Sequence, residues 1–142
     1  MIELTYEAAM HVRDSHAMTV LGRDDHVLGI GAFHGLANFA DGRVATHRYD
    51  GWYDLIDGSG RFHGYALWQF EDGSEIRAVY DGEAREAGAE GFEVGAQIRV
   101  VSGTGRFAGA SGDGGFQGRR IEPIERGGRT QLSGTLRLER AR

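Results

Sequence analysis

An acidic residue followed by glycine recurs about every fifteen residues and divides the chain into segments of similar length. The pairs are Asp41-Gly42, Asp57-Gly58 and Asp72-Gly73, and a fourth turn is expected between Gly88 and Gly91. Such pairs favour tight hairpin turns, because aspartate and glycine tolerate the positive φ that these turns require. The spacing therefore predicts consecutive antiparallel strands.

Between the turns, apolar and polar residues alternate, as on strands with one buried face. The cleanest alternation lies in residues 91–101, with Phe92, Val94, Ala96, Ile98 and Val100 on one face. Strands are also predicted in residues 1–10, 26–39, 44–56, 61–70, 75–84, 116–124 and 132–138. Residues 11–25 show no clear period and are predicted to form an irregular connection.

The predicted strands are longer than the usual length of about 5–6 residues, and their links are short, which favours an up-and-down meander. Seven or eight such strands close into a barrel, because an open sheet would leave two long edges exposed. The 24 glycines and single proline fit coiled strands and few helices. We predict a single all-β domain over residues 1–142, an antiparallel up-and-down eight-stranded β-barrel, with a two-sheet sandwich as the alternative.

Residues 103–116, GTGRFAGASGDGGF, hold too many glycines for a strand or a helix and are predicted to form a corner. Arg106, Phe107 and Ala108 can make one short helical turn within it. Burial of Phe107 on the core would be worth roughly 1.5–3 kcal/mol, which predicts a plug rather than a linker. The alternative is a mobile surface loop with Phe107 half exposed.

The residues and motifs that several kinds of catalytic or metal site require are absent from this sequence. No cysteine is present, which excludes disulfides, thiolate nucleophiles and cysteine-ligated metals. The spacing of His11 and His16 matches no zinc site, and Gly103-x-Gly105 lacks the lysine of a phosphate loop. No nucleophile-elbow pattern is present either. We therefore expect no metal and no cofactor.

The formal net charge of -5 and the scattered basic residues argue against a nucleic-acid partner. Basic residues are locally concentrated only at Arg119, Arg120, Arg126 and Arg129. Because Glu122 and Glu125 lie among them, this region is interpreted as a solvated hairpin rather than an anion site. With no cationic leader and no apolar run of about 18 residues, a cytoplasmic protein without a membrane partner is expected.

Four stretches of residues 60–118 carry a family resemblance. They are the aromatic strand at 65–70, the hairpin EDGS at 71–74, the strand end VVSGTG at 100–105 and the continuation RFAGASGDGGFQG at 106–118. Together they resemble the allene oxide cyclase and dirigent protein barrel superfamily, in which a Gly-Gly-Thr-Gly-x-Phe-x-Gly-Ala-x-Gly pattern leads into a late strand of an eight-stranded calyx. Ser102 departs from that pattern, and no plant-cyclase motif places a catalytic carboxylate at Glu3 or Glu7.

The resemblance implies a barrel whose apolar interior holds a small hydrophobic molecule and folds it for cyclisation, coupling or isomerisation. It also implies a homo-oligomer, either a trimer or a dimer. Catalysis of this kind needs an aromatic cavity that enforces a reactive conformer, and one or two polar groups that stabilise developing charge.

His47, Tyr49 and Tyr53 are the candidate catalytic groups. They share one face of a predicted strand, so an inward face would give a ladder of one possible base and two phenols. An outward face would make them surface or oligomer-contact residues, and Trp52 on the opposite face leaves both orientations open. His63 and Tyr65 repeat the pattern on the next strand and could lie beside them.

Aromatic residues of the predicted strands and corner are the candidate ligand-binding set. They are Phe33, Trp68, Phe70, Tyr80, Phe92 and Phe107, together with His63 and Tyr65. The alternative for each is an ordinary core position, because an eight-stranded barrel can pack solid or enclose one small ligand.

The leading hypothesis is a cofactor-independent cyclase or isomerase acting on a small hydrophobic or aromatic molecule inside the barrel. The alternatives are a non-catalytic, lipocalin-like binding protein and a small barrel enzyme of other chemistry, such as a hydrolase or a redox tailoring enzyme. An inward-facing histidine or carboxylate with nothing to pair with inside the barrel would favour catalysis. A purely aliphatic and phenyl interior would favour carriage.

Overall fold

A computed structural model of the protein, which describes residues 1–88 and 91–140, shows one closed, antiparallel, up-and-down barrel of eight strands. The strands are β1 (Ile2–Val20), β2 (Arg23–Phe39), β3 (Val44–Ile56), β4 (Ser59–Phe70), β5 (Glu75–Glu86), β6 (Phe92–Gly103), β7 (Ala110–Arg120) and β8 (Thr130–Arg140). Short 3₁₀ turns occur at Gly105–Phe107 and Ile124–Arg126. The predicted fold class is confirmed. None of the described helical turns is long or apolar enough to cross a membrane.

Turn chemistry sets the hairpins much as the sequence predicts. Asp57 and Gly58 both have positive φ, 50° and 81°, which is the signature of a two-residue type I′ turn. Asp41-Gly42 and Asp72-Gly73 lie in longer connections, where only the glycine has positive φ. Part of the fourth predicted turn, at residues 89 and 90, lies outside the described residues.

The predicted apolar faces point into the barrel. Every other residue along β4, β5, β6 and β8 is buried or half-buried on the inward side, and most outward positions carry polar or charged residues. The open question about β3 is settled by the same alternation. His47 and Tyr53 are buried and point inward with Tyr49, whereas Trp52 lies on the outer face.

The prediction of an irregular connection at residues 11–25 is wrong. The chain continues there as a long β1–β2 hairpin, turning at Leu21 and Gly22 with φ of 51° and 76°. A register shift between Val12 and Asp14 changes the phase of the alternation, which hides the strand from a period-two search. Beyond Met10, β1 loses its pairing with β8 and pairs with β2 alone among the described strands.

The glycine-rich corner closes one end of the barrel, called here the lower end, where the connections at residues 40–43 and 71–74 also lie. The predicted helical turn is confirmed at Gly105–Phe107, and Phe107 is 1% exposed, so it is a plug. The Arg106 amide donates to Ser74 Oγ at 3.1 Å, and its guanidinium pairs with Asp72 at 2.7 Å. The corner is thereby fastened to the EDGS hairpin.

The glycine-rich residues after the corner are strand, not loop, which corrects the prediction. β7 begins at Ala110 and ends at Arg120, about six residues earlier at its start than the predicted strand at 116–124. A methyl group on Gly114 would overlap the Thr135 carbonyl oxygen of β8. Glycine therefore lets β7 lie unusually close to its neighbour.

Aromatic packing fills the lower half of the barrel. The Phe70 ring lies 5.1 Å from Phe39 and 5.0 Å from Phe107, measured between centroids. The Arg43 guanidinium caps this group, 5.7 Å from the centroids of Phe70 and Phe107. Trp68 is fully buried above them. This end offers no opening for a ligand.

The upper end is crossed by the β7–β8 connection, residues 121–129. Ile124 buries its side chain, and the predicted turn at Gly127 and Gly128 is present, with φ of 115° and 56°. The Val12 amide donates to the Gly127 carbonyl at 2.8 Å, which holds the connection against β1. The barrel is therefore closed at its lower end and covered at its upper end by this short loop.

Candidate functional site

A small cavity lies in the upper half of the barrel, between the aromatic layer and the covering loop. Its volume is about 20 Å³, room for about one water molecule. The lining residues are Phe33, Tyr49, Gly51, Trp52, Tyr53, Phe62, Tyr80, Val94, Phe116, Arg120, Thr130 and Leu132. Among them are three phenols and one guanidinium, which makes this the polar part of an otherwise apolar interior.

Arg120 is the most unusual member of this lining. It is 8% exposed, and within residues 1–88 and 91–140 it makes no salt bridge, while its buried Nε has no hydrogen-bond acceptor. Burial lowers the pKa of its guanidinium, an effect opposed by Tyr49, Tyr53 and Glu125. The interpretation of this region as a solvated hairpin is therefore wrong for Arg120, although Arg119, Arg126 and Arg129 are exposed.

Three tyrosines surround the cavity. Tyr49 and Tyr53 come from β3, and Tyr80 from β5, with the Tyr49 and Tyr80 rings edge to face at 5.7 Å. Burial raises the pKa of each phenol, most strongly for Tyr49 and Tyr80. All three hydroxyls therefore stay protonated at neutral pH and act as hydrogen-bond donors rather than as bases.

Glycines make room for these rings. The Tyr80 ring end lies against Gly51 and Gly64, and Tyr53 covers Gly29, where a methyl group would overlap its ring. Tyr53 and Tyr80 thus each reach a neighbouring strand at a position without a side chain. Their hydroxyls lie against these glycines.

Aromatic rings form the walls. Phe33 stacks on Tyr49 at 4.7 Å with an interplanar angle of 19°, and Phe62 lies 6.3 Å from Phe116. These rings surround the cavity with apolar atoms, so the Arg120 charge acts in a medium of low dielectric constant. Electrostatic effects on a bound molecule are stronger there than at the surface.

A second cavity of about 190 Å³ opens at the upper end, and Arg120 and Tyr53 line both cavities. Phe92 lies at its edge, with its ring over Gly58. The outer rim is acidic, with Asp24, Asp25, Asp57 and Glu125, of which Asp25 pairs with Arg23 at 2.7 Å. The two cavities together are called the upper pocket below: positive at its inner end and negative at its entrance.

His47 points into the barrel but lies below the upper pocket. Its ring stacks on Trp68 at 4.6 Å, and its Nδ1 donates to the Leu67 carbonyl at 2.9 Å. Burial lowers the pKa of the imidazole to about 4. His47 is therefore neutral at physiological pH, and neither cavity is lined by it.

The predicted site residues divide into three groups. The upper pocket gathers Tyr49, Tyr53, Phe33, Tyr80 and Phe92. His47, Trp68, Phe70 and Phe107 face inward but belong to the filled lower half.

His63 and Tyr65 lie on the outer face of β4, because β4 alternates with Phe62, Gly64, Ala66 and Trp68 inside. Tyr65 is 66% exposed, and His63 contacts Asp81 at 3.2 Å. Neither belongs to the upper pocket, so the expectation that this second set would lie beside the first is wrong.

Sequence reasoning missed Arg120, Phe62, Phe116 and Thr130. The signal for Arg120 was its parity with Phe116, four residues earlier on the same strand, which predicts an inward position. The usual exposure of charged residues outweighed that parity in the prediction.

Other surfaces of the barrel are less suited to chemistry. Three depressions of about 570, 690 and 1000 Å³ lie on the outer wall, open to solvent and lined mainly by polar and small residues. No group of three or more histidine, aspartate and glutamate side chains in the described part of the chain is placed to hold a metal ion. The upper pocket is the candidate site.

The fold and pocket define the protein as an eight-stranded up-and-down barrel with a cationic, phenol-lined pocket at one end. No protein family, curated protein or solved structure matches the chain. The resemblance to the allene oxide cyclase and dirigent superfamily therefore stays a prediction, as does the homo-oligomer that it implies.

Proposed function

We propose that this protein is a cofactor-independent isomerase or cyclase acting on a small aromatic or apolar molecule bound in the upper pocket. The observation that carries the proposal is a small inner cavity that is lined by three protonated phenols, by aromatic rings and by the buried guanidinium of Arg120. Burying these polar groups lowers the stability of the fold, and the same groups can stabilise charge on a reacting molecule.

The chemistry follows from what the pocket contains. Fixed hydroxyl donors stabilise negative charge that develops on an oxygen atom while one bond to it breaks and another bond forms, and removing one such donor typically lowers kcat by roughly 10²–10³-fold. No described carboxylate or imidazole lines the inner cavity. The groups there therefore favour a concerted rearrangement, in which no proton is removed, over proton abstraction by a side chain.

The dimensions set the size of the molecule. Drug-sized ligands need about 300–1,000 Å³, whereas a cavity of about 150 Å³ holds benzene. At about 190 Å³, the outer cavity fits a single substituted ring whose inner end reaches Tyr53 and Arg120. A larger substrate requires the connection at residues 121–129 to move.

An isomerase or a cyclase of this kind conserves the mass of its substrate, which gives a direct test. A small-molecule extract incubated with the protein should show one compound falling and another of identical mass rising, separated by chromatography. Tyr49→Phe should slow this conversion by about 10²-fold, and Tyr65→Phe, on the outer face, should leave it unchanged.

The alternative is a non-catalytic binding protein, which is supported by the apolar side chains of Val27, Leu55 and Phe92 in the lining of the outer cavity. In that case native mass spectrometry would find a compound bound to the chain, and no pair of equal mass would appear in the extract. If the protein neither binds nor converts a compound, both functions are contradicted.

A further inference from the structure

The guanidinium of Arg120 is buried in an aromatic interior and makes no salt bridge with a described carboxylate, although Glu125 lines the outer cavity with it. Burying a charge is costly unless it is paired. The planar fork of arginine matches a carboxylate in two parallel hydrogen bonds, and Nε, which has no acceptor among the described residues, is one of its donors. A carboxylate bound in the pocket would satisfy this donor.

We infer that the upper pocket takes a small aromatic monocarboxylate, whose carboxylate pairs with Arg120 while its ring lies in the outer cavity beside Phe92. This inference rests on the proposed function, because it names the class of molecule that the same pocket receives. Arg120 then anchors the molecule, and Tyr53, which lines both cavities, lies beside the bound ring.

The entrance refines the ligand class. Asp24, Asp57 and Glu125 line the outer cavity, and no basic side chain other than Arg120 does so. A ligand with its carboxylate at Arg120 directs its para position toward these acids. A neutral or cationic group fits there, whereas a second carboxylate is repelled.

Calorimetric titration of the unmodified protein tests the ligand class with four probes: benzoate, benzamide, terephthalate and 4-(aminomethyl)benzoate. We expect benzoate to bind at least about tenfold more tightly than benzamide, since a charge-assisted pair replaces a neutral contact. Terephthalate should bind more weakly than benzoate, and 4-(aminomethyl)benzoate at least as tightly.

Two variants locate the binding. Arg120→Met should abolish the preference for benzoate over benzamide and should keep or raise the thermal midpoint, because it removes an unpaired buried charge. Arg119→Met, one residue away on the exposed face of β7, is the matched control and should bind benzoate normally. If Arg120→Met does not fold, the Nε–H resonance of Arg120 in the unmodified protein should still shift on addition of benzoate.

Three results would overturn the inference: equal affinity for benzoate and benzamide, benzoate binding that survives in folded Arg120→Met, or no binding of any probe up to its solubility limit. The two proposals fail separately. Conversion of a neutral compound without benzoate binding would support the isomerase proposal and contradict the carboxylate-binding proposal. Benzoate binding without conversion to a compound of equal mass would support the carboxylate-binding proposal and contradict the isomerase proposal.

Discussion

At the scale of single residues, the buried imidazole of His47 ties stability to pH. Its pKa is about 4 in the folded protein and 6.5 ordinarily, so the unfolded chain binds this proton first as the pH falls. Stability contributed by neutral His47 is complete above pH 6.5 and is lost progressively as the pH falls toward 4. The loss should reach about 3 kcal/mol.

Urea unfolding measured between pH 7 and 4 checks this prediction when the protein is compared with His47→Gln, which keeps a donor for the Leu67 carbonyl. The variant should lose less stability over this interval by about 3 kcal/mol. His16→Gln is the control, because the His16 side chain is 75% exposed and should not affect the slope. Parallel curves for the protein and His47→Gln would contradict the assignment.

Tyr6 offers a second prediction at this scale. Its hydroxyl is buried without a hydrogen-bond partner among the described residues, and its ring lies over Gly134. An unsatisfied buried hydroxyl costs about 1–3 kcal/mol, so Tyr6→Phe should raise the free energy of unfolding by about 1 kcal/mol. Tyr65→Phe, at an exposed tyrosine, should change it little, and a destabilised Tyr6→Phe would show that the hydroxyl has an ordered water partner.

At the scale of strands, the glycines of β7 make a sharp test of close strand approach. Gly114→Ala would press a methyl group into the Thr135 carbonyl and should destabilise the barrel by roughly 2–3 kcal/mol. Gly95→Ala is the matched control, because the nearest atom to the added methyl is the Phe116 carbonyl oxygen at 3.8 Å. Equal thermal midpoints for the two variants would contradict the close-approach argument.

The strands themselves could be predicted because a period of two survives in the sequence wherever one face is buried and the other solvated. β6 shows it without interruption, so its inward residues follow from the sequence alone. The long β1–β2 hairpin could not be predicted, since the register shift after Val12 reverses the faces and Leu21-Gly22 is not a common turn pair.

The candidate site was partly accessible to the same reasoning. Tyr49, Tyr53 and Tyr80 could be placed on apolar faces, but which face of β3 is inward depends on barrel closure, a property of all eight strands together. Arg120 was hidden for another reason. Charged residues are mostly solvated, and only the three-dimensional arrangement shows that this one is buried without a partner.

At the scale of the whole molecule, closure depends on the pairing of β1 with β8, which brings Ile2 opposite Leu138. The two ends of the described chain therefore lie side by side. A circular permutant that joins them with a short linker and opens at Asp72-Gly73 should fold into the same barrel. Its circular dichroism and cooperative thermal unfolding should match those of the parent.

Opening the same linked chain between Gly114 and Gly115 is the control, because the cut divides β7 between its two neighbours. That permutant should not unfold cooperatively. If both permutants fold equally well, continuity of the strand is not what holds the barrel closed.

The plug formed by Phe107 has a kinetic consequence. With the lower end filled, a molecule that reaches Arg120 has to leave by the entrance it used, past the connection at residues 121–129. The outer cavity, at about 190 Å³, holds one ring-sized molecule, so in the proposed enzyme the product has to leave before the next substrate enters. In that scheme a retained product inhibits competitively, and its departure limits the rate.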